Sequence, residues 1–102
     1  MSQSENTNSE NPSQEIITSL LEHYQNGRFV DAEKLAVSIT QKFPKHKFSW
    51  KVLGAVLGQT GRSSEALSVN QTVVTLSPLE AAAHSNLGIN LQELGRLEEA
   101  KA

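Results

Sequence analysis

A four-residue phrase centred on glycine recurs at a fixed interval, and this interval constrains the fold more than any other feature of the chain. The three copies are Gln25-Asn26-Gly27-Arg28, Gln59-Thr60-Gly61-Arg62 and Glu93-Leu94-Gly95-Arg96. Their glycines lie 34 residues apart (61−27 and 95−61), and Pro44 and Pro78 keep the same spacing (78−44). A period of this length indicates one supersecondary unit stacked on copies of itself.

The residues between these markers have helical periodicity. An apolar or small residue stands at i, i+3, i+4 and i+7, which is one face of an α-helix. The positions are Trp50, Leu53, Gly54 and Leu57 in one unit, and His84, Leu87, Gly88 and Leu91 in the next. The repeated glycine can adopt the left-handed conformation that ends a helix. We therefore predict antiparallel helix pairs at about 13–26 with 29–43, 47–60 with 63–77, and 81–94 with 97 onward.

Small residues mark the places where the helices of a pair are expected to cross. Gly54 and Gly88 stand where a side chain would push the paired helix away. Their counterparts on the second helices are Ala32, Ala66 and Ala100.

The chain divides into a leader and three units. Residues 1–12 are predicted to be a disordered leader, because residues 1–10 are polar and offer nothing to bury. Asn11 and Pro12 suit the cap and first position of the first helix. The units are expected at about 13–46, 47–80 and 81–102. The last is cut short, which would make this the N-terminal part of a longer array and leave an apolar end uncovered. That end comprises Leu87, Leu91, Leu94 and Leu97.

The units resemble the tetratricopeptide repeat, whose pattern is W-x-x-L-G-x-x-Y, then A-x-x-x-F, then P. Here the pattern reads Trp50-x-x-Leu53-Gly54-x-x-Leu57, then Ala66-x-x-x-Asn70, then Pro78. The third unit, through His84-Ser85-Asn86-Leu87-Gly88, also resembles the arrays of O-linked N-acetylglucosamine transferase-like bacterial proteins. The resemblance implies an all-α fold: a right-handed superhelical solenoid of antiparallel helix pairs.

The same resemblance implies a concave groove that is lined by the first helix of each unit and binds a peptide or a protein surface. The family's groove positions are occupied here by Ile17, Thr18, Leu21, Tyr24, Gln25, Lys51, Val52, Ala55, Gln59, Ser85, Asn86, Ile89 and Glu93. The residues expected to contact a partner are Tyr24, Lys51, Val52, Ala55, Asn86 and Ile89. Asn86 matches one rung of the family's peptide-gripping asparagine ladder, although Thr18 and Val52 occupy the equivalent rungs.

A chaperone-tail clamp is not expected. Members of the family that hold a C-terminal carboxylate do so with lysine, arginine and asparagine. The matching positions here are Ile17, Leu21, Val52, Ala82 and Asn86, so four of the five cannot pair with a carboxylate.

Composition argues against several other classes. The formal net charge of -2 gives the whole chain no attraction to nucleic acid or an anionic membrane. The absence of cysteine excludes disulfides and thiolate metal sites. No apolar run approaches the roughly 18 residues of a membrane span, and the N-terminus does not read as a secretory signal. We expect a cytoplasmic protein.

The sequence contains no group of residues with the spacing expected of a catalytic or metal-binding site. His23, His46 and His84 fall in three different units without an i, i+4 partner, and no nucleophile, base and acid trio stands out. We expect no enzyme activity, no cofactor and no metal.

The basic segment 42–51 interleaves lysines with aromatic residues, a pattern that can bind single-stranded nucleic acid by stacking. Phe43 and Trp50 have core positions in the repeat, which leaves only Phe48 free to stack. A solvated turn is therefore favoured over nucleic-acid binding.

The sequence thus favours a non-catalytic scaffold that binds a protein or peptide segment. Two alternatives stay open. The chain could be the substrate-recognition arm of a larger enzyme, such as a glycosyltransferase-, sulfotransferase- or oxygenase-like protein with its catalytic domain beyond residue 102. It could also self-associate through its open C-terminal face.

Overall fold

The computed structural model describes the backbone of residues 11–101 and the side chains of residues 11–96, and this part of the chain forms five α-helices and no strand. The predicted disordered leader falls mainly on residues 1–10, which lie outside the described residues. The helices are α1 (Gln14–Gln25), α2 (Phe29–Lys42), α3 (Lys47–Gln59), α4 (Ser63–Leu76) and α5 (Ala81–Lys101). The predicted bounds of the first four helices are confirmed to within one residue at each end.

The first helix is capped by Ser13 rather than by Asn11. The Ser13 Oγ accepts a hydrogen bond from the backbone N–H of Ile16 at 3.2 Å, and the helix begins at Gln14. The prediction of an asparagine cap with Pro12 as the first helical residue was wrong. Ser13 is an equally good cap, and its oxygen reaches the third helical N–H as an N-cap should.

The glycine turns 26–28 and 60–62 are copies of one hydrogen-bonded motif. Gly27 and Gly61 have φ of 74° and 76°. The N–H of Arg28 donates to the carbonyl of His23 at 2.9 Å, and the N–H of Arg62 donates to that of Leu57 at 2.9 Å. Each glycine N–H adds a 3.2 Å bond to the carbonyl three residues earlier. This is the Schellman arrangement, in which a residue at positive φ lets the chain leave the helix with its last carbonyls satisfied.

The turns 43–46 and 77–80 also repeat in detail. The helices before them end at Lys42 and Leu76, as the two prolines predicted. The Trp50 Nε1 donates to the Pro44 carbonyl at 2.8 Å. One unit later, the His84 Nε2 lies 2.6 Å from the Pro78 carbonyl. Because a carbonyl oxygen only accepts, His84 carries its proton on Nε2. Both ring N–H groups therefore tie the next helix to the turn before it.

The core forms where consecutive helices pack against each other. Each helix contacts the next along the chain, and α1 also packs against α3. Ala32 and Ala66 are fully buried, which confirms their role as close-approach positions. The rest of the buried core cluster consists of Leu20, Ala36, Ile39, Val52, Leu53, Val56 and Leu57.

The aromatic residues of the basic segment pack against this core. Phe43 and Trp50 do so as predicted, and Phe48 does so as well. Phe48 is therefore not free to stack on a base. The hydrophobic effect explains this, because the ring buries apolar area that would otherwise face water.

The third unit does not form the predicted helix pair. Helix α5 continues from Ala81 through Gly95 to Lys101, and Gly95 is not among the positive-φ glycines of the described residues. A Cβ at Gly88 would meet nothing within 4 Å, so no helix crosses there, and Leu91 is 54% exposed. After Gly27 and Gly61 a following helix packs back on its predecessor. At Gly95, in contrast, the chain stays in α5. The side chains of Leu97 and Ala100 lie outside the described residues.

Alanine substitution of two equivalent glycines is expected to have opposite effects on stability. Gly61→Ala should lower the free energy of unfolding by about 1 kcal/mol, because an L side chain disfavours the left-handed conformation. Gly95→Ala should raise it by about 0.5–1 kcal/mol, because alanine favours a helix interior over glycine. Urea denaturation followed by far-UV circular dichroism measures both. Destabilisation by Gly95→Ala would mean that the chain turns at Gly95.

Helix α3 is capped by the ring of His46. The backbone N–H of Ser49 donates to the His46 Nδ1 at 3.4 Å, and the Ser49 Oγ lies 3.0 Å from the same Nδ1 and 3.0 Å from the His46 carbonyl oxygen. An unprotonated Nδ1 can accept from the Ser49 hydroxyl as well as from its N–H. Partial burial lowers the pKa of His46 from its ordinary value of 6.5. Only the neutral ring has a lone pair for the Ser49 N–H.

The His46 cap is therefore expected to make stability depend on pH. Because the folded-state pKa lies below the unfolded value, the cap's contribution is complete above pH 6.5 and is lost as the pH falls through the folded pKa. The loss should be about 1 kcal/mol or less, the size of one N-cap. The control is His46→Asn, because asparagine can cap a helix but does not titrate. Urea denaturation gives the free energy of unfolding of both proteins from above pH 6.5 down through the folded pKa of His46. Parallel curves for wild type and variant would refute the assignment.

Candidate functional site

A pocket of about 350 Å³ lies between α3, α4 and α5. It opens at Gly58 of α3, where nothing lies within 4 Å of the position that a Cβ would take. Its lining residues are Gly54, Ala55, Gly58 and Gln59 of α3, Asn70 of α4, and Asn86, Ile89, Asn90 and Glu93 of α5.

The inner end of the pocket is formed by a buried pair of asparagines. Asn70 and Asn90 are 8% and 4% exposed, and the Asn70 Nδ2 donates to the Asn90 Oδ1. The Asn70 amide lies against Gly54: a Cβ built there would overlap the Asn70 Oδ1 and stand 3.3 Å from its Cγ. A buried amide without a partner is costly, so this pair fixes α4 and α5 relative to each other.

At the crossing of Gly54 and Asn70, the small residue is on the first helix of the unit and the larger one is on the second, which is the reverse of the preceding unit. The equivalent positions (54−34 and 70−34) hold Leu20 and Ala36, both fully buried. The large residue is on the first helix in one unit and on the second helix in the next. The exchange replaces an apolar side chain with an amide, and so makes the pocket floor polar.

The outer wall combines amides, one apolar side chain and one carboxylate. Gln59 and Asn86 are exposed, and Ile89 is 50% exposed. The half-buried Glu93 accepts a weak hydrogen bond from the Ser63 Oγ at 3.5 Å. Among the described residues, none forms an ion pair with Glu93. The site can therefore accept and donate hydrogen bonds, and it carries a single negative charge.

The structure brings together half of the residues expected to contact a partner. Ala55, Asn86 and Ile89 line the pocket, and two further groove positions, Gln59 and Glu93, lie beside them.

The other three expected contact residues lie elsewhere. Tyr24 is half-buried, and its ring centroid is 5.9 Å from that of Phe29. Val52 is 6% exposed and belongs to the core, so its placement on a binding surface was wrong. The resemblance put Val52 on the open side of α3, but α1 and α2 both pack against this helix, and Val52 belongs to the buried cluster.

Lys51 is occupied within the molecule rather than presented to a partner. Its Nζ lies 2.5 Å from the Oε2 of Glu80, the residue just before α5. Both side chains are partly exposed, so the pair adds little stability. It does hold the start of α5 against α3.

Arg62 makes the corresponding link between the first and second units. Its guanidinium donates to Glu65, in the first turn of α4, at 2.5 Å and to Glu33 of α2 at 2.6 Å. The hydrogen bonds that Arg62 donates hold the pKa of the Glu65 carboxyl below its usual range, and the same bonds to Glu65 and Glu33 raise the pKa of Arg62. The Arg62 guanidinium is therefore already paired with two carboxylates.

Sequence reasoning missed Asn70 and Asn90 as site residues. One signal was present for each. Asn70 stands where the repeat pattern has an aromatic residue, and Asn90 stands one period after the buried Val56 (90−56 = 34). A polar residue at a core position of a repeat points to a buried hydrogen bond.

Further comparisons bear on the class of protein. No group of three His, Cys, Asp or Glu residues within the described part could hold a metal ion. Over the same residues, no helix combines the length and apolar character needed to cross a membrane. The sequence matches no known family model, and no curated protein matches it.

Two glycines of α3 are expected to respond oppositely to an added methyl group. Gly54→Ala should lower the free energy of unfolding by about 1–3 kcal/mol, because its Cβ would displace the Asn70 amide. Gly58→Ala should raise it by about 0.5–1 kcal/mol, since nothing lies within 4 Å of that Cβ and alanine favours the helix. Thermal and urea denaturation give both values. Equal effects would contradict the close crossing at Gly54.

Proposed function

We propose that the chain is a tetratricopeptide-repeat array, a right-handed superhelical solenoid, that acts as a non-catalytic scaffold and binds a peptide or protein segment in the cytoplasm. Two structural features support the solenoid. The Schellman turns at Gly27 and Gly61 recur with the same hydrogen bonds. The helices pack chiefly against their neighbours along the chain, as stacked repeats do.

The observation that carries the proposed function is the pocket between α3 and α5. It joins Ala55, Asn86 and Ile89, which come from the first helices of two successive units. The resemblance assigns these helices to the groove. Binding pockets combine apolar lining with a few polar groups that fix the ligand's orientation; here Ile89 and Ala55 supply the apolar part, and the polar share is larger.

The pocket suits an extended polypeptide. Ile89 and Ala55 can contact apolar parts of a side chain, while the Asn86 amide can donate to and accept from a peptide unit. No aromatic side chain lines the pocket. We expect modest affinity, because the strongest interface anchors are aromatic residues and arginine.

Binding of a displayed random-peptide library to the full chain tests the function. Ile89→Ser should weaken the selected peptides roughly five- to tenfold, the effect of losing about 1–1.4 kcal/mol of apolar contact. Asn86→Ala should weaken them similarly. Val30→Ser is the matched control, because Val30 is 67% exposed on α2 and lies outside the pocket lining.

The titrations belong at concentrations where sedimentation finds a monomer, so that contacts between copies through the open face of α5 do not interfere. Selected peptides that bind all three variants equally would remove the pocket as the binding site. Failure to select any peptide would remove the proposed function.

A further inference from the structure

We propose that the pocket receives the basic side chain of a bound peptide, lysine or arginine, and that Glu93 is its counter-ion. This inference rests on the proposed peptide-binding function and adds the chemical class of the recognised residue.

The charge of the lining carries the first step. Glu93 is the one charged side chain among the nine lining residues. It forms no ion pair with any residue that the structure describes. Its hydrogen bond from the Ser63 Oγ is long, at 3.5 Å, and leaves most of its acceptor capacity open.

The cations around the pocket do not line it, which is the second step. Arg62, adjacent to Ser63 in the chain, donates to Glu33 and Glu65. Lys51, on α3, is paired with Glu80. Arg96, one turn after Glu93 on α5, is exposed and is not part of the pocket lining. An acidic side chain entering the pocket would therefore meet a carboxylate and no cation in the lining, whereas a basic side chain would meet a counter-charge that no described residue pairs with.

The shape and remaining chemistry of the pocket fit a long basic side chain. About 350 Å³ is enough for an arginine or lysine side chain, and Gly58 leaves the α3 wall open to its stem, since nothing lies within 4 Å of a Cβ built there. Ala55 and Ile89 can cover the methylene groups, as basic side chains commonly bury their stems. The head group has up to five N–H donors, and the amide oxygens of Gln59 and Asn86 can accept those that Glu93 does not.

A pair of peptides that differ only in charge tests the inference. One is a short acetylated and amidated alanine peptide with a single central arginine, and the other has citrulline, the neutral analogue of arginine, in its place. Heteronuclear NMR titration follows the side-chain NH₂ signals of Asn86 and Asn90. The arginine peptide should bind the wild type roughly five- to tenfold tighter than the citrulline peptide, as expected for one partly exposed charged hydrogen-bonded contact.

Two variants assign this preference to the pocket. Glu93→Gln should reduce the preference to about onefold. Glu22→Gln, which removes the same charge from an exposed position on α1, should leave it intact. Gly58→Ala, which adds a methyl group inside the pocket without a clash, should weaken the arginine peptide while the protein stays folded.

The outcomes separate this inference from the function on which it rests. If library peptides bind through Ile89 and Asn86 but show no arginine preference, or if Glu93→Gln keeps the preference, the basic-residue assignment is overturned and the scaffold function stands. If agmatine, a free guanidinium, binds as tightly as the arginine peptide, the site recognises a small cation and the peptide assignment is overturned. If no peptide binds, both fall.

Discussion

The close crossing of α3 and α4 at Gly54 is the constraint on which the arrangement of the second and third units depends. Without a side chain at Gly54, the Asn70 amide can lie against the backbone of α3. From there it donates to Asn90 and so fixes α5. The hydrogen bond of a buried amide pair has a preferred direction, which an apolar contact lacks. Removing one of the two amides would leave the other buried without a partner, which lowers the free energy of unfolding. One missing side chain thus sets the position of two helices and the floor of the pocket between them.

Much of the local structure could be predicted from the sequence because its causes are local. A glycine permits a Schellman turn because it adopts positive φ at little steric cost, and this turn forms at Gly27 and Gly61. The same phrase failed at Gly95, where the chain stays helical. A turn of this kind forms only if the helix after it gains enough packing to offset the helical hydrogen bonds it interrupts. That condition depends on tertiary contacts, which the phrase does not encode.

The candidate site was predicted less well, for a related reason. The resemblance put Ala55, Asn86 and Ile89 on one groove surface, and these residues of α3 and α5 line one pocket. Val52 was assigned to the same surface, but it is buried in the core. The depth of a face position depends on how closely neighbouring helices approach. That distance depends on pairs of residues from two helices, such as Leu20 with Ala36 and Gly54 with Asn70, in which a large side chain on one helix faces a small one on the other.

The features that weaken packing near Gly54 also provide the chemistry for recognition. A glycine and an asparagine at a helix crossing bury less apolar area than a leucine and an alanine, so this crossing gains less from the hydrophobic effect. The same crossing places the amide groups of Asn70 and Asn90 beside the pocket. The ion pairs of Lys51 and Arg62 are partly exposed to solvent, so they contribute little to the free energy of unfolding. They do hold segments of the chain that are distant in sequence at fixed positions. Glu93 is the one charged side chain of the pocket lining, and the proposed recognition of a basic side chain rests on it.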